Sequence, residues 1–237
     1  MDPILRDLLE KVAGLHEIPQ GAYNIRANGL SMGRGTTENI DIIPREDGTG
    51  IDVHIKPGTK RESVHIPVIL SMSGINEAVC NDFYVGDDSD VTIVAGCGIH
   101  NGGAKESRHD GIHRFFIGKN AKLKYVEKHY GQGEGTGENI MNPRTEITIE
   151  EGGLMEMESV QIKGIDSTKR ETIAHLKEGA KLVVSERLMT HGTQYADSRF
   201  DVSMDGANSS AKISSRSVAR DNSKQMFYSN LIGNAAC

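Results

Sequence analysis

The nine residues Ile117-Gly-Lys-Asn-Ala-Lys-Leu-Lys-Tyr125 recur along the chain in altered form. Val85-Gly-Asp-Asp-Ser-Asp-Val-Thr-Ile93, Ile149-Glu-Glu-Gly-Gly-Leu-Met-Glu-Met157 and Leu176-Lys-Glu-Gly-Ala-Lys-Leu-Val-Val184 repeat the pattern. Met204-Asp-Gly-Ala-Asn-Ser-Ser-Ala-Lys-Ile213 repeats it with one extra residue. Each unit is an apolar residue, a polar or glycine turn, a small residue, then apolar-polar-apolar. Their starts lie 32, 32, 27 and 28 residues apart. A recurring period of this length marks stacked repeats. Each unit reads as strand, tight turn, strand, with small residues letting backbone corners approach. Propeller blades are longer and carry four antiparallel strands. A sandwich spaces its hairpins more closely and without a fixed repeat. A parallel β-helix fits best. Stacked strands about 4.8 Å apart would make about six coils into a rod on the order of 30 Å long.

Working outward, the first segment is a helix. Asp2 suits the N-cap and Pro3 the first turn. Ile4, Leu5, Leu8, Leu9 and Val12 share one face, and Gly14 is a natural stop. About 11 residues is too short a helix to persist alone. Its apolar stripe therefore needs a surface to cover. From residue 21 onward β-branched, alternating runs dominate, such as Ile51-Asp-Val-His-Ile55. The expected organisation is a helix over 1–20 and an all-β solenoid over 21–237. A solenoid has open ends that need capping, and the helix is a candidate for one of them. The segment Leu231-Ile-Gly-Asn-Ala-Ala-Cys237 reads as part of a further coil, cut short or paired with a partner.

Composition narrows the function. The 237 residues carry a net charge of -6, with no basic arm or groove, so nucleic-acid binding is not expected. Apolar runs reach about five residues, as in Ile66-Pro-Val-Ile-Leu70, which is too short to cross a membrane. The N-terminus has neither a basic nor an apolar signal region. Three cysteines, at 80, 97 and 237, read as reduced and cytoplasmic. There is no tryptophan, and four of the 11 aromatics form the pairs Phe83-Tyr84 and Phe115-Phe116. Those pairs are 32 residues apart, which predicts a stacked aromatic ladder at one corner.

Chemistry concentrates between Ala95 and His113. Cys97 and His100 form C-x2-H, and His109 and His113 form H-x3-H, spacings that suit a transition metal such as zinc or iron. The plainer reading is a glycine-rich loop with a buried thiol. Cys80 is expected inside a coil, and Cys237 as a terminal thiol with no activating base beside it. His54, His65, His129, His175 and His191 read as surface or satisfied histidines. Gly131-Gln-Gly-Glu-Gly-Thr-Gly137 lacks the following helix and the Gly-Lys-Ser/Thr of a phosphate loop, so it reads as a flexible connection.

An ordered series of segments resembles the SufB/SufD proteins. It runs from Gly21-Ala-Tyr-Asn-Ile-Arg26 and Val64-His-Ile-Pro-Val68 through Ala95-Gly-Cys97 and Ser107-Arg-His109. It continues in Phe116-Ile-Gly-Lys-Asn-Ala-Lys-Leu-Lys-Tyr-Val126, His129-Tyr-Gly131 and Ile213-Ser-Ser-Arg-Ser-Val-Ala-Arg220. The resemblance implies a right-handed parallel β-helix and a non-enzymatic role in iron-sulfur cluster assembly, as scaffold or scaffold partner. It implies a second SufB/SufD-like subunit and a SufC-like ABC-type ATPase as partners, in a homo- or hetero-oligomer. It also implies a transient iron-sulfur cluster, with Cys97, His109 and Cys237 as candidate contacts. The chain departs from the family in having no long N-terminal domain and in ending before the helices that bind the ATPase. No cysteine lies between Cys97 and Cys237, so His, carboxylate or a second subunit must complete any cluster. Two other readings stay open: a structural β-helix subunit without cluster chemistry, and a metal-dependent enzyme using Cys97, His100, His109 and His113.

Overall fold

The structure is a computed structural model that describes residues 2–17 and 19–235. Alternating inward apolar and outward polar side chains lay down two facing sheets. Sheet A holds β1 (Ala22–Ala27), β2 (Leu30–Gly35), β5 (Lys60–Leu70), β7 (Asp90–His100), β9 (Lys122–Gln132), β12 (Leu154–Gln161), β14 (Lys181–Thr190) and β16 (Ser210–Ala219). Sheet B holds β3 (Ile40–Pro44), β4 (Gly50–Ile55), β6 (Asn76–Val85), β8 (Ser107–Ile117), β10 (Asn139–Met141), β11 (Arg144–Ile149), β13 (Ser167–Leu176), β15 (Tyr195–Met204) and β17 (Lys224–Gly233). From β5 onward the chain alternates between the sheets, and every ladder from there is parallel, giving a parallel β-solenoid of about six turns. At the N-terminal end β2 runs antiparallel to β1 and β3 antiparallel to β4.

The repeat is the corner from sheet B to sheet A. Asp88, Asn120, Gly152, Gly179 and Asn208 occupy the same left-handed position in successive corners, with φ between 54° and 67°. Glycine, Asn and Asp tolerate that conformation best, which explains the polar or glycine turn. The small residue that follows points inward, and Ser89, Ala121 and Ala180 are fully buried there. Corner amides continue the stacking: Asp88 N donates to Lys119 O at 2.8 Å and Asn120 N to Glu151 O at 2.9 Å. The fall in period after Ile149 comes from a shorter sheet A strand, β12, and from the opposite corner. That corner spans 101–106 and 133–138 in the early coils but 191–194 later.

Between the sheets lies an aliphatic core with a few aromatics, including Ile93, Leu123, Tyr125, Phe115, Ile149 and Phe200. The expected ladder is present and double. Phe83 stacks on Phe115 inside, with centroids 4.6 Å apart, and Tyr84 stacks on Phe116 outside at 5.0 Å. Neighbouring residues on a strand point to opposite faces, so one dipeptide repeat yields two stacks.

Helix α1 (Pro3–Ala13) starts with Asp2 Oδ1 accepting from Ile4 N at 2.8 Å and ends at Gly14 with φ 66°. It covers the domain by lying on the outer face of sheet A against β5, β7 and β9, rather than across an open end. Outward-facing Gly96 and Gly98 make this approach close. A Cβ at Gly96 would stand 2.5 Å from Val12 O, and one at Gly98 would stand 3.2 Å from Leu8. Leu5, Leu8, Leu9 and Val12 are buried there, each worth about 1.5–3 kcal/mol. No helix among the described residues is long and apolar enough to cross a membrane.

Two expectations need correction. Cys80 is half-buried and faces outward, because it sits an odd step from inward-facing Phe83. Its Sγ is 3.5 Å from Arg114 Nη2. The 131–137 connection is a packed ridge and not a loose loop. Its glycines lie where a Cβ would strike backbone: 2.2 Å from Asn101 O at Gly133 and 2.0 Å from Lys105 O at Gly137. Gly135 N and Gly137 N donate to Asn101 O and Gly103 O, each at 3.0 Å.

Candidate functional site: a polar chamber inside the solenoid

The solenoid interior is apolar beside the repeating corner, and buried polar side chains gather beyond it, bounded in turn by a smaller apolar cluster that includes Val68, Leu70, Ile99 and Ile165. On β8 the inward face reads Ser107, His109, Gly111, His113, Phe115, Ile117, so polarity ends where the aromatic stack begins. On β9 the inward face reads Leu123, Tyr125, Glu127, His129. Cys97 pairs in register with His129 on sheet A, and His109 pairs with Met141 on sheet B. Between Met141 and Arg144 the strand is interrupted at Asn142-Pro143, opposite Asp110-Gly111. Proline donates no ladder bond, and glycine adds no side chain. A cavity of about 10 Å³ forms here, lined by Cys97, His109, Gly111, His113, Glu127, His129, Met141 and Pro143.

A buried charge network backs the cavity. Arg170 Nη1 donates to Glu127 Oε2 at 2.5 Å, and its Nε lies 3.5 Å from Glu186 Oε1. Glu186 also accepts from Ser198 Oγ and Ser215 Oγ, each at 2.7 Å. Tyr125 donates its hydroxyl to Glu127 Oε1 at 3.0 Å. The 2.8 Å contact between Tyr125 Oη and His113 Nδ1 therefore assigns the donor proton to Nδ1. That leaves a lone pair on His113 Nε2, with Asn81 Nδ2 at 3.4 Å. His109, only 3% exposed, has no hydrogen-bond partner on either ring nitrogen among the described residues.

Burial sets the protonation states. Desolvation, then the nearby His113 and His129, pushes His109 down to about 3. Desolvation also lowers His113 to about 4, against the pull of Glu127. Both rings are neutral at pH 7. Burial, reinforced by Glu127 and Glu77, raises the Cys97 thiol well above its ordinary value. For Glu127, burial acts to raise the carboxyl, but Arg170, His129 and His113 override it and hold it well below the usual range.

The fold thus brings Cys97, His109 and His113 to one chamber and leaves His100 out. Three residues is an odd step along a strand, so His100 leaves the face opposite Cys97. Cys237 lies outside the described residues. Glu127, His129, Tyr125, Arg170 and Glu186 were not singled out from the sequence as site residues. The available signal was phase: His129 lies 32 residues after Cys97, one repeat on. Among the described residues, no three His, Cys, Asp or Glu side chains stand ready-made around a metal position.

Comparison with known proteins agrees with this architecture. The family model for the SUF system FeS cluster assembly SufBD core domain matches residues 80–234, which include the whole chamber. An iron-sulfur cluster assembly SufBD family protein of Archaeoglobus fulgidus is 27% identical over 191 residues, 80% of this chain and 50% of that protein. One of Methanocaldococcus jannaschii is 27% identical over 204 residues, 84% of this chain and 63% of that protein. The chain belongs to the SufBD family. It spans about half to two thirds of the length of these relatives.

Proposed function

We propose that the protein is a non-enzymatic component of iron-sulfur cluster assembly, a scaffold or the partner of one. The SufBD core match over residues 80–234 carries this reading. In this proposal the cluster is cargo. It forms with a second SufB/SufD-like subunit and a SufC-like ABC-type ATPase, in the cytoplasm. The chamber has room for about one water or ion. A cluster of four or more heavy atoms does not fit that volume. Cluster contact by this chain therefore belongs at a surface, or in an opened chamber.

The test is anaerobic reconstitution with iron and sulfide in the presence of the two partner proteins, followed by transfer to an apo-ferredoxin. Visible charge-transfer absorption and transfer support the proposal. Absence of both, with all partners folded, overturns it. Unchanged delivery by a Cys97→Ala variant assigns the chain a partner role in which that thiol takes no part.

A further inference from the structure

The outer face of sheet B carries a row of rings that breaks off at Thr148. His54 on β4, Tyr84 on β6 and Phe116 on β8 stand in register on neighbouring strands. Their rings stack with centroids 4.6 Å and 5.0 Å apart and interplanar angles of 8° and 10°. The next residue in the row is Thr148 on β11, which has no ring, and the one after it is His175 on β13. Phe116 therefore shows its second face to the space over Thr148. Strands lie about 4.8 Å apart, so roughly 10 Å separates the Phe116 and His175 positions. That distance leaves one ring spacing on either side of a missing ring. His175 Nδ1 is held by Asp205 Oδ2 at 3.2 Å. Asp205 follows β15, on the side away from Thr148, so the contact draws the imidazole out of the gap.

A cavity of about 300 Å³ lies over Thr148 between Phe116 and His175, with Arg114, Arg144 and Glu146 at one end. Phe116 and Thr148 also line a second cavity of about 280 Å³, which continues past Tyr84 to the corner at Gly86 and Gly118. The two form one groove across the strands. Stacking sets the occupant of the slot: a flat ring, since aromatic pairs favour centroids about 4.5–7 Å apart. The groove sets its carrier, because a free ring fills one of the two cavities and a polypeptide fills both. Charge sets the residue beside the ring. Glu146 is paired with Arg144 and Glu151 with Lys119, whereas Glu150, lining the groove, has no cation partner among the described residues.

We infer that this face docks a partner polypeptide through an aromatic side chain inserted over Thr148, between Phe116 and His175, with a basic residue beside it meeting Glu150. Indole fits best, because it offers the largest flat face. An aromatic anchor seated in a pocket is the usual centre of binding energy in an interface. The slot lies outside the solenoid, apart from the chamber, and does not depend on the assembly role. A chain that delivers clusters but takes no aromatic anchor loses the slot and keeps the role.

The experiment titrates the intact chain into the synthetic peptide acetyl-KGWGK-amide, up to millimolar concentration. The chain contains no tryptophan, so all indole fluorescence comes from the peptide. A saturable blue shift of the emission is expected. Thr148→Phe supplies the missing ring from the chain itself and should abolish that shift. Phe116→Leu keeps the apolar bulk but removes the flat face, and it should weaken binding by about two- to tenfold, the worth of one aromatic pair. Circular dichroism confirms that each variant is folded. The inference is overturned if the folded wild type leaves the indole emission unchanged, or if Thr148→Phe binds the peptide as tightly as wild type. It is also overturned if acetyl-KGLGK-amide displaces the probe as well as unlabelled acetyl-KGFGK-amide does. Displacement by adenosine at the same concentration would overturn it too, reassigning the slot to a free heteroaromatic molecule.

Discussion

Replacing Arg170 with Met would strand two carboxylates. The guanidinium is 2% exposed, and its partners Glu127 and Glu186 are each 3% exposed, so water cannot take its place. Removing one member of a buried ion network typically costs about 3–5 kcal/mol, because the remaining charge is left uncompensated. Domains of this kind carry roughly 5–15 kcal/mol in total, so the variant should be far less stable but still folded. Adding Glu127→Gln removes one stranded charge. Glu186 keeps its two serine donors at 2.7 Å. The double variant should therefore be more stable than Arg170→Met alone, with a coupling of about 1–3 kcal/mol. Urea unfolding at pH 7 reads both quantities, with an unchanged slope showing that the same surface is exposed. An Arg170→Met cost under about 1 kcal/mol would refute the reasoning, and so would simple additivity of the two substitutions.

Stability should fall on acidification below about pH 6.5. His109 and His113 are pushed down to about 3 and about 4, so the unfolded chain takes up their protons first. The stability from their neutral burial is complete above the unfolded value and is lost as pH drops toward the folded ones. The slope between pH 6 and 4 approaches about 2.7 kcal/mol per unit for the pair, and a His109→Gln, His113→Gln double variant should flatten it. Gly96→Ala should displace α1, since its Cβ would stand 2.5 Å from Val12 O. The expected cost is roughly 1–3 kcal/mol, with faster proteolysis between residues 14 and 20; an unchanged digestion rate counts against the helix contact. Native alkylation followed by peptide mapping should label outward-facing Cys80 well before buried Cys97. The reverse order would contradict the assigned strand faces.

Much of this architecture was legible in the residues. The spacing of Val85, Ile117, Ile149, Leu176 and Met204 is the stacking itself, because each coil repeats one turn chemistry at one left-handed position. Phe83-Tyr84 and Phe115-Phe116 announced their stacks through equal phase. The site was legible in part. His109 and His113 share a face because four is an even step along a strand, whereas Cys97 and His100 are separated because three is odd. Metal-ligand spacing rules drawn from loops and helices carry no such parity, so His100 was grouped with residues it never meets.

The sequence by itself determined the period, the corners, the alternating faces and the family, since all of these depend on neighbours along the chain. Tertiary structure alone decided which polar residues face one another across the two sheets. Cys97, Glu127 and Arg170 come from three different coils, and no local rule relates them. It also decided what the glycines around Cys97 are for. Gly96 and Gly98 read as parts of a glycine-rich loop, yet they lie on strand β7, face outward and seat the N-terminal helix. The cysteine between them, one step out of phase, is what points into the chamber.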